Sequence, residues 1–236
     1  MIEKLNRAGS YHHNNSEENQ DAVLYGSNKR FEVITLADGV SSCERGKEGA
    51  WAACEIVTEL LLEKGEYFLE FEKETTADLV TSHILYELEK MAQENKEEVD
   101  AYSSTLASIL FDKKTKKMLF FNLGDSLILA TRGERCGILS VPYEEGSGCP
   151  VTTTRNVSLT VSTEVVDASM FDSVVICSDG AWQYMFERNR LAQDIRTMMA
   201  GQRYDELAWY LESQNGEDDY SFISIDLRKI HWRKAA

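Results

Sequence analysis

Two short apolar runs in this chain each end on Asp-Gly, and that repetition narrows the folds open to it. The first is Phe31 to Gly39 (FEVITLADG), rich in β-branched and apolar residues and too short for a helix. It reads as a buried strand that delivers Asp38 and Gly39 to its end, just before Val40-Ser41-Ser42. The second, Val174-Val175-Ile176, closes in the same manner on Cys177-Ser178-Asp179-Gly180. A single Asp-Gly pair is an ordinary turn signal. A carboxylate at the end of a buried strand, however, is costly unless a cation or a dense set of donors compensates it. Two such strands suggest two ligands brought to one edge.

Composition limits what that edge can serve. The chain has 236 residues, enough for one sizeable core and short for two, so residues 1–236 are expected to form a single domain. The formal charge of −15 argues against nucleic acid and against an anionic membrane surface as partners. Solubility explains acidity in general; a sharper reading concentrates part of it around bound cations. Five cysteines, Cys43, Cys54, Cys136, Cys149 and Cys177, are scattered with no CxxC pair, which is poor disulfide or zinc arithmetic. Together with the lack of an apolar signal core or membrane-length run, this gives a cytoplasmic expectation.

Along the chain, the first 20 residues are polar, and His12 and His13 are expected on the surface or in a loop. Ala22 to Tyr25 forms a short strand, and Gly26-Ser27-Asn28-Lys29 turns it into the FEVITLADG strand. Such a hairpin sets Asp21 and Asp38 at one end. Gly46 to Leu62 reads as a helix with Trp51, Cys54, Val57 and Leu61 inward. A second helix runs from about Thr75 to Asn95, capped by Thr75 or Thr76, with Leu79, Val80, Ile84, Leu88 and Met91 as its stripe. Strands follow at Ser104–Phe111, Lys117–Leu123 and Leu127–Thr131, then an irregular stretch from Gly133 to Gly148. Strands return at Ser158–Val161 and Ser173–Cys177, helices at about Asn189–Ala200 and Tyr204–Gln214, and a last strand opens with Asp218 and Asp219. This order is not the alternation of a parallel α/β fold. It suggests antiparallel sheets with helices on their outer faces, an α+β layering.

The acids at strand ends are Asp21, Asp38, Asp125, Asp179 and Asp218. Gathered together they would repel unless cations sat among them. Oxygen ligands without His or Cys favour hard ions, Mg²⁺ or Mn²⁺, and two such ions suit attack of water on a phosphoryl group.

Six blocks carry a resemblance: ENQDA, LADGV, SSTLA, NLGDS, CSDGA and DDYSFISI, spanning roughly Asn19 to Ile225. In this order they resemble the metal-dependent serine/threonine protein phosphatases of type 2C, the PPM family, in its bacterial form. The resemblance implies a β-sandwich of two antiparallel sheets flanked by helix pairs, in αββα layers. It also implies hydrolysis of phosphoserine or phosphothreonine in proteins by a water or hydroxide bridging two Mn²⁺ or Mg²⁺ ions, in signalling beside a cognate kinase. By position, Asp38 resembles the carboxylate that bridges both metals, and the Gly39 carbonyl a ligand of the second. Asp179 and Asp218 would hold the first metal, Asp21 would act through metal-bound water, and Asp125 with Asp179 would frame a third, weaker position. Asp38, Asp179 and Asp218 are thus the implied catalytic acids, and Asp218 is preferred to Asp219 because Ser221 then follows at the family spacing.

The departures lie around the substrate rather than among the metal acids. Gln20 stands where many members have glutamate, and Ser16 where the phosphate-binding arginine falls. Val40 replaces a histidine that can act as general acid, Leu127 an arginine, and Ser103 a glycine. Arg30 or Arg45 could supply the missing cation, and His12 or His13 the missing proton. A catalytically weak binding or regulatory module built on the same sandwich is therefore the alternative reading.

Overall fold

The computed structural model describes residues 2–15, 18–143, 148–188 and 190–230. Its first sheet grows from the expected hairpin. Strand β2 (Asp21–Ser27) turns into β3 (Phe31–Asp38) because the Asn28 side-chain oxygen accepts the N–H groups of Arg30 and Phe31, at 2.8 and 2.7 Å. The register sets Asp21 directly opposite Asp38. Strands β4 (Leu106–Asp112), β5 (Lys117–Leu123) and β8 (Ser162–Asp167) complete it in the order β2-β3-β4-β5-β8, with every pairing antiparallel.

The second sheet is built from β1 (Ile2–Arg7), β6 (Leu127–Arg132), β7 (Arg135–Ser140), β9 (Ser173–Cys177) and β12 (Tyr220–Asp226). Their order is β1-β12-β9-β6-β7, again antiparallel throughout. The two sheets stack face to face. On β3, Ile34 and Leu36 point into the layer between them, where they meet Ile176 of β9 and Ile223 of β12. Phe31, Val33 and Ala37 point the other way, beneath helices α2 (Gly46–Phe68) and α3 (Lys73–Asn95). Both faces of β3 are covered, which is why its sequence is a continuous apolar run rather than an alternating one. Helices α5 (Gln193–Ala200) and α6 (Tyr204–Gln214) cover the outer face of the second sheet with Ile195, Met199, Leu207 and Leu211. The layers are therefore αββα, as the sequence led us to expect.

Several local expectations need correction. The N-terminal segment is not loop: β1 pairs with β12, and Ser10–Asn15 forms a short helix, α1. Within the stretch expected to be irregular, β7 forms a hairpin with β6 through Gly133, whose φ of +56° suits the left-handed turn. Its mixed exposure hid it, since an edge strand need not alternate cleanly. Val157–Thr160 is one 3-10 turn, not a strand, after Asn156 at φ +57°. The strand starts at Ser162. Helix α2 continues to Phe68, and α3 starts at Lys73 with Glu72 at its cap and no side-chain cap bond from Thr75 or Thr76. The inward stripe of α2 includes Ala50 and Ala53 beside Cys54, Val57 and Leu61, leaving Trp51 37% exposed; Leu79 on α3 is also exposed. The helix expected from about residue 189 starts at Gln193, because strand β11 (Arg190–Leu191) pairs with β10 (Phe186–Glu187) as a small hairpin.

Candidate active site

Four strand ends meet at one edge of the sandwich. Asp21 starts β2 and Asp38 ends β3; Asp179 follows β9 at the start of a short helix, α4 (Asp179–Trp182), and Asp218 precedes β12. Gly180 permits the approach of the last two: a Cβ there would lie 2.0 Å from the Asp219 carbonyl oxygen and 3.3 Å from the Asp218 Cβ. Gly39 is similarly confined, since a Cβ would meet the backbone of Gly46 at 2.5 Å. The Asp38 turn is fixed by neighbours, with the Asp38 N–H donating to Thr105 Oγ1 at 3.1 Å and Gly39 bridging to Ser104. Asp125 lies on the turn before β6, its carbonyl accepting from Trp182 Nε1 at 2.8 Å.

The acids act on one another. Burial pushes the Asp21 carboxyl up to about 8, the Ser221 hydroxyl partly opposes it, and the charges of Asp219 and Asp179 add to the rise. Asp38 is held well above the usual carboxylate range, first by burial, then by the charges on Asp21 and Asp179, and it hydrogen-bonds to Asp179. Asp179 is raised by burial and then by Asp125; Asp218 by burial and then by Asp179. All five acids singled out in the sequence therefore belong to one electrostatic cluster.

Does this set fit a divalent ion? Both Asp21 carboxylate oxygens and Gln20 Oε1 are buried with no donor in hydrogen-bond geometry; the Ser221 and Ser178 hydroxyls stand near Asp21, but Ser221 Oγ donates instead to Asn6 Oδ1 at 3.2 Å. Stranded acceptors of that kind are costly, and three oxygens with no donor among them match a hard cation or the water it carries. Among the described residues, no three His, Cys, Asp or Glu side chains close tightly enough to cage an ion unaided. Mg²⁺ does not need such a cage, because it is commonly held by one or two carboxylates and keeps several waters. The donor set fits.

Cations near the cluster are fewer than the sequence suggested. Ser16 lies outside the described residues. Arg30 sits at the turn end of the β2–β3 hairpin, about 25 Å from the Asp21–Asp38 end at ordinary strand rise. It is committed to Asp112 and Glu66, at 2.9 and 2.8 Å, so it cannot hold substrate phosphate. Arg45 is bound to Glu97 and Glu48, at 2.9 and 3.1 Å. His13 is exposed as expected, but His12 is buried on α1, with Nδ1 2.8 Å from Asp219 Oδ1. Sequence reasoning missed Asp219 as the hub of this region. Its only signal was an acid adjoining an apolar strand, which Asp218 shares.

The sequence pattern of the protein phosphatase 2C family matches residues 8–212, and the chain belongs to that family. Among solved structures it is similar to a bacterial serine phosphatase at 15% identity and TM-score 0.71, over 96% of this chain and 97% of the other. It is also similar to the serine/threonine phosphatase Stp1 from Staphylococcus aureus, at 14% identity and TM-score 0.70, over 96% and 94%. A third likeness is RsbX in complex with magnesium, at 12% identity and TM-score 0.59, over 94% and 92%. No curated protein matches the chain in sequence. At these identities the structural likeness speaks for the fold. Among the described residues no helix is long and apolar enough to cross a membrane.

Proposed function

We propose that this protein is a divalent-metal-dependent phosphatase that hydrolyses phosphoserine and phosphothreonine in proteins. The observation that carries the reading is the stranded acceptor set of Asp21 and Gln20 inside a cluster of mutually repelling acids. Its family membership, and a structural relative holding magnesium, support the same chemistry. Asp38, Asp179 and Asp218 would hold the ions together with the Gly39 carbonyl, Asp21 would bind through water, and Asp125 would serve a third position. Bound ions would supply an acidified water and positive charge for the phosphoryl oxygens.

The remaining work falls to this chain's own groups. Gly180 lets the Asp179 turn pack on the Asp218–Asp219 backbone, and Gly39 lets the Asp38 turn pack on the start of α2, so each carboxylate is held by close backbone packing. Thr105 Oγ1 holds the Asp38 backbone, and the Ser178 hydroxyl, accepting from Ser221 N–H at 2.9 Å, ties the Asp179 turn to β12. Such ties limit reorganisation when the site loads. Residues 1–236 would act as one catalytic domain. Release of inorganic phosphate from a phosphoserine peptide, with and without Mn²⁺, tests the reading. Mn²⁺-dependent release is expected; none at any Mn²⁺ or Mg²⁺ concentration would leave the chain a binding module.

A further inference from the structure

At the end of the sandwich opposite the acid cluster, arginines line a cleft of about 610 Å³. Asp172 in its wall precedes β9 and Asp179 follows that strand, so cleft and acids lie about 20 Å apart at ordinary strand rise. Arg196 comes from α5, Arg203 from the turn into α6, and Arg228 from the 3-10 turn after β12. All three are exposed. Among the described residues each spends a single side-chain donor on the protein. Arg196 Nη2 donates to the Gln193 side-chain oxygen, Arg203 Nη1 to Glu206 at 2.7 Å, and Arg228 Nε to Asp226 at 3.1 Å. A guanidinium is a planar fork of several N–H donors, so most of the donating capacity here is unspent. Arg196 is paired with a neutral amide rather than an acid, and Arg228 shares Asp226 with Lys229. Gly201 leaves room for the Arg203 fork, since a Cβ there would stand 3.2 Å from its Nε. Two acids share the lining, Glu134 and Asp172. Asp172 Oδ2 already accepts the Gly133 N–H at 2.7 Å, and Glu134 lies between Arg132 and Arg135, which are partners across the β6–β7 hairpin.

We propose that this cleft is a binding site for a phosphoryl dianion, carried either by free phosphate or by a phosphorylated peptide. Guanidinium forks match such oxygens with paired, charge-assisted hydrogen bonds, which are the strong ones. A phosphoryl group concentrates a charge of about −2 on its oxygens and can engage more than one arginine at once. A lone carboxylate offers less charge and fewer acceptors. A long polyacidic segment would be repelled by a chain of net charge −15, whereas a compact dianion places its whole charge among the arginines. The proposal does not rest on the phosphatase reading. A ligand held at this end leaves the acid edge open and does not compete with substrate there.

The test is a calorimetric titration of the full-length chain at constant ionic strength, with no divalent ion added, so that the acid edge repels anions. The probes are inorganic phosphate and a peptide carrying a non-hydrolysable phosphonate in place of phosphoserine. Wild type is compared with Arg196→Gln, Arg228→Gln and the double variant, alongside melting curves and separate Mn²⁺ titrations. We expect one anion site per wild-type chain, binding weakened about tenfold or more in each single variant and lost in the double one, with Mn²⁺ isotherms unchanged. Tighter binding of inorganic phosphate assigns the site to the free anion, and tighter binding of the phosphonate peptide assigns it to a phosphorylated chain. Arg228→Gln removes a bond to the buried Asp226. Should that variant melt lower, Arg196→Gln decides, because it gives up only the Gln193 contact. A wild type that binds neither probe, an unchanged anion isotherm in Arg196→Gln, or a loss of anion binding that tracks a loss of Mn²⁺ binding would overturn the proposal.

Discussion

Asp38 feels three other acids of the cluster, raised by burial and then by the charges of Asp21, Asp179 and Asp218. Asp38→Asn removes the charge at nearly constant volume, so the fold should survive while metal-dependent turnover falls about 10²-fold or more, roughly 3 kcal/mol of barrier. Steady-state rates with Mn²⁺ titrated in check this; a variant that turns over like wild type would refute the assignment. Asp179 and Asp218 act on each other's charge, so Asp179→Asn and Asp218→Asn should each weaken Mn²⁺ activation, with the double variant losing less than the sum. Additive losses would mean separate sites. A different pair sets stability. The Asp112 side chain is fully buried and bound by Arg30. Burial alone would raise its pKa, but Arg30, the Lys114 N–H and the Thr115 hydroxyl outweigh that and hold it below its ordinary value. A depressed carboxylate contributes stability above its unfolded pKa and loses it as pH falls through the folded one. Arg30→Ala should therefore cost on the order of 3 kcal/mol at neutral pH, less in acid, and leave Mn²⁺ dependence unchanged. Urea melts at pH 7 and pH 3 measure it, and an equal cost at both would contradict the account.

At the scale of elements, the two Asp-Gly strands were legible because both are buried on both faces and end on residues with a strong turn chemistry. The hairpin followed from the same signals, so Asp21 and Asp38 could be set at one end of it, while their direct pairing across β2 and β3 comes from the fold. Strand β7 was not legible: an edge strand exposes part of its length, and its pattern overlaps that of loop. Nor was α1, whose helix is too short to show a period and holds its place through His12 and Asp219, contacts some 200 residues apart in sequence. The choice between Asp218 and Asp219 is the same lesson in one pair of residues. Adjacent acids look identical in sequence, and only the fold shows that Asp219 takes two backbone amides while Asp218 lies by Asp179. The Gly180 turn gives an element-scale test. Gly180→Ala would push a methyl into the Asp219 carbonyl, 2.0 Å away, and separate α4 from β12. Overpacking of this kind costs about 1–3 kcal/mol, and we expect a lower Tm with a weaker Mn²⁺ response. A variant that melts lower yet keeps wild-type Mn²⁺ affinity would show that the turn's spacing does not set the site.

For the whole molecule, the sandwich explains why a chain of net charge −15 can gather acids at one edge. Hydrophobic layers on both sides of each sheet fix the strand ends, and the repulsion is borne by packing rather than by local partners. Binding of cations to the folded state alone should therefore raise Tm in proportion to the logarithm of ion concentration. That stabilisation is the direct reading of a site built for cations, and calorimetric titration of wild type and Asp38→Asn with Mn²⁺ measures it without any substrate. The account expects two ions per wild-type chain and markedly weaker binding of both in Asp38→Asn. Absence of binding to wild type, or an unchanged isotherm in the variant, would contradict it.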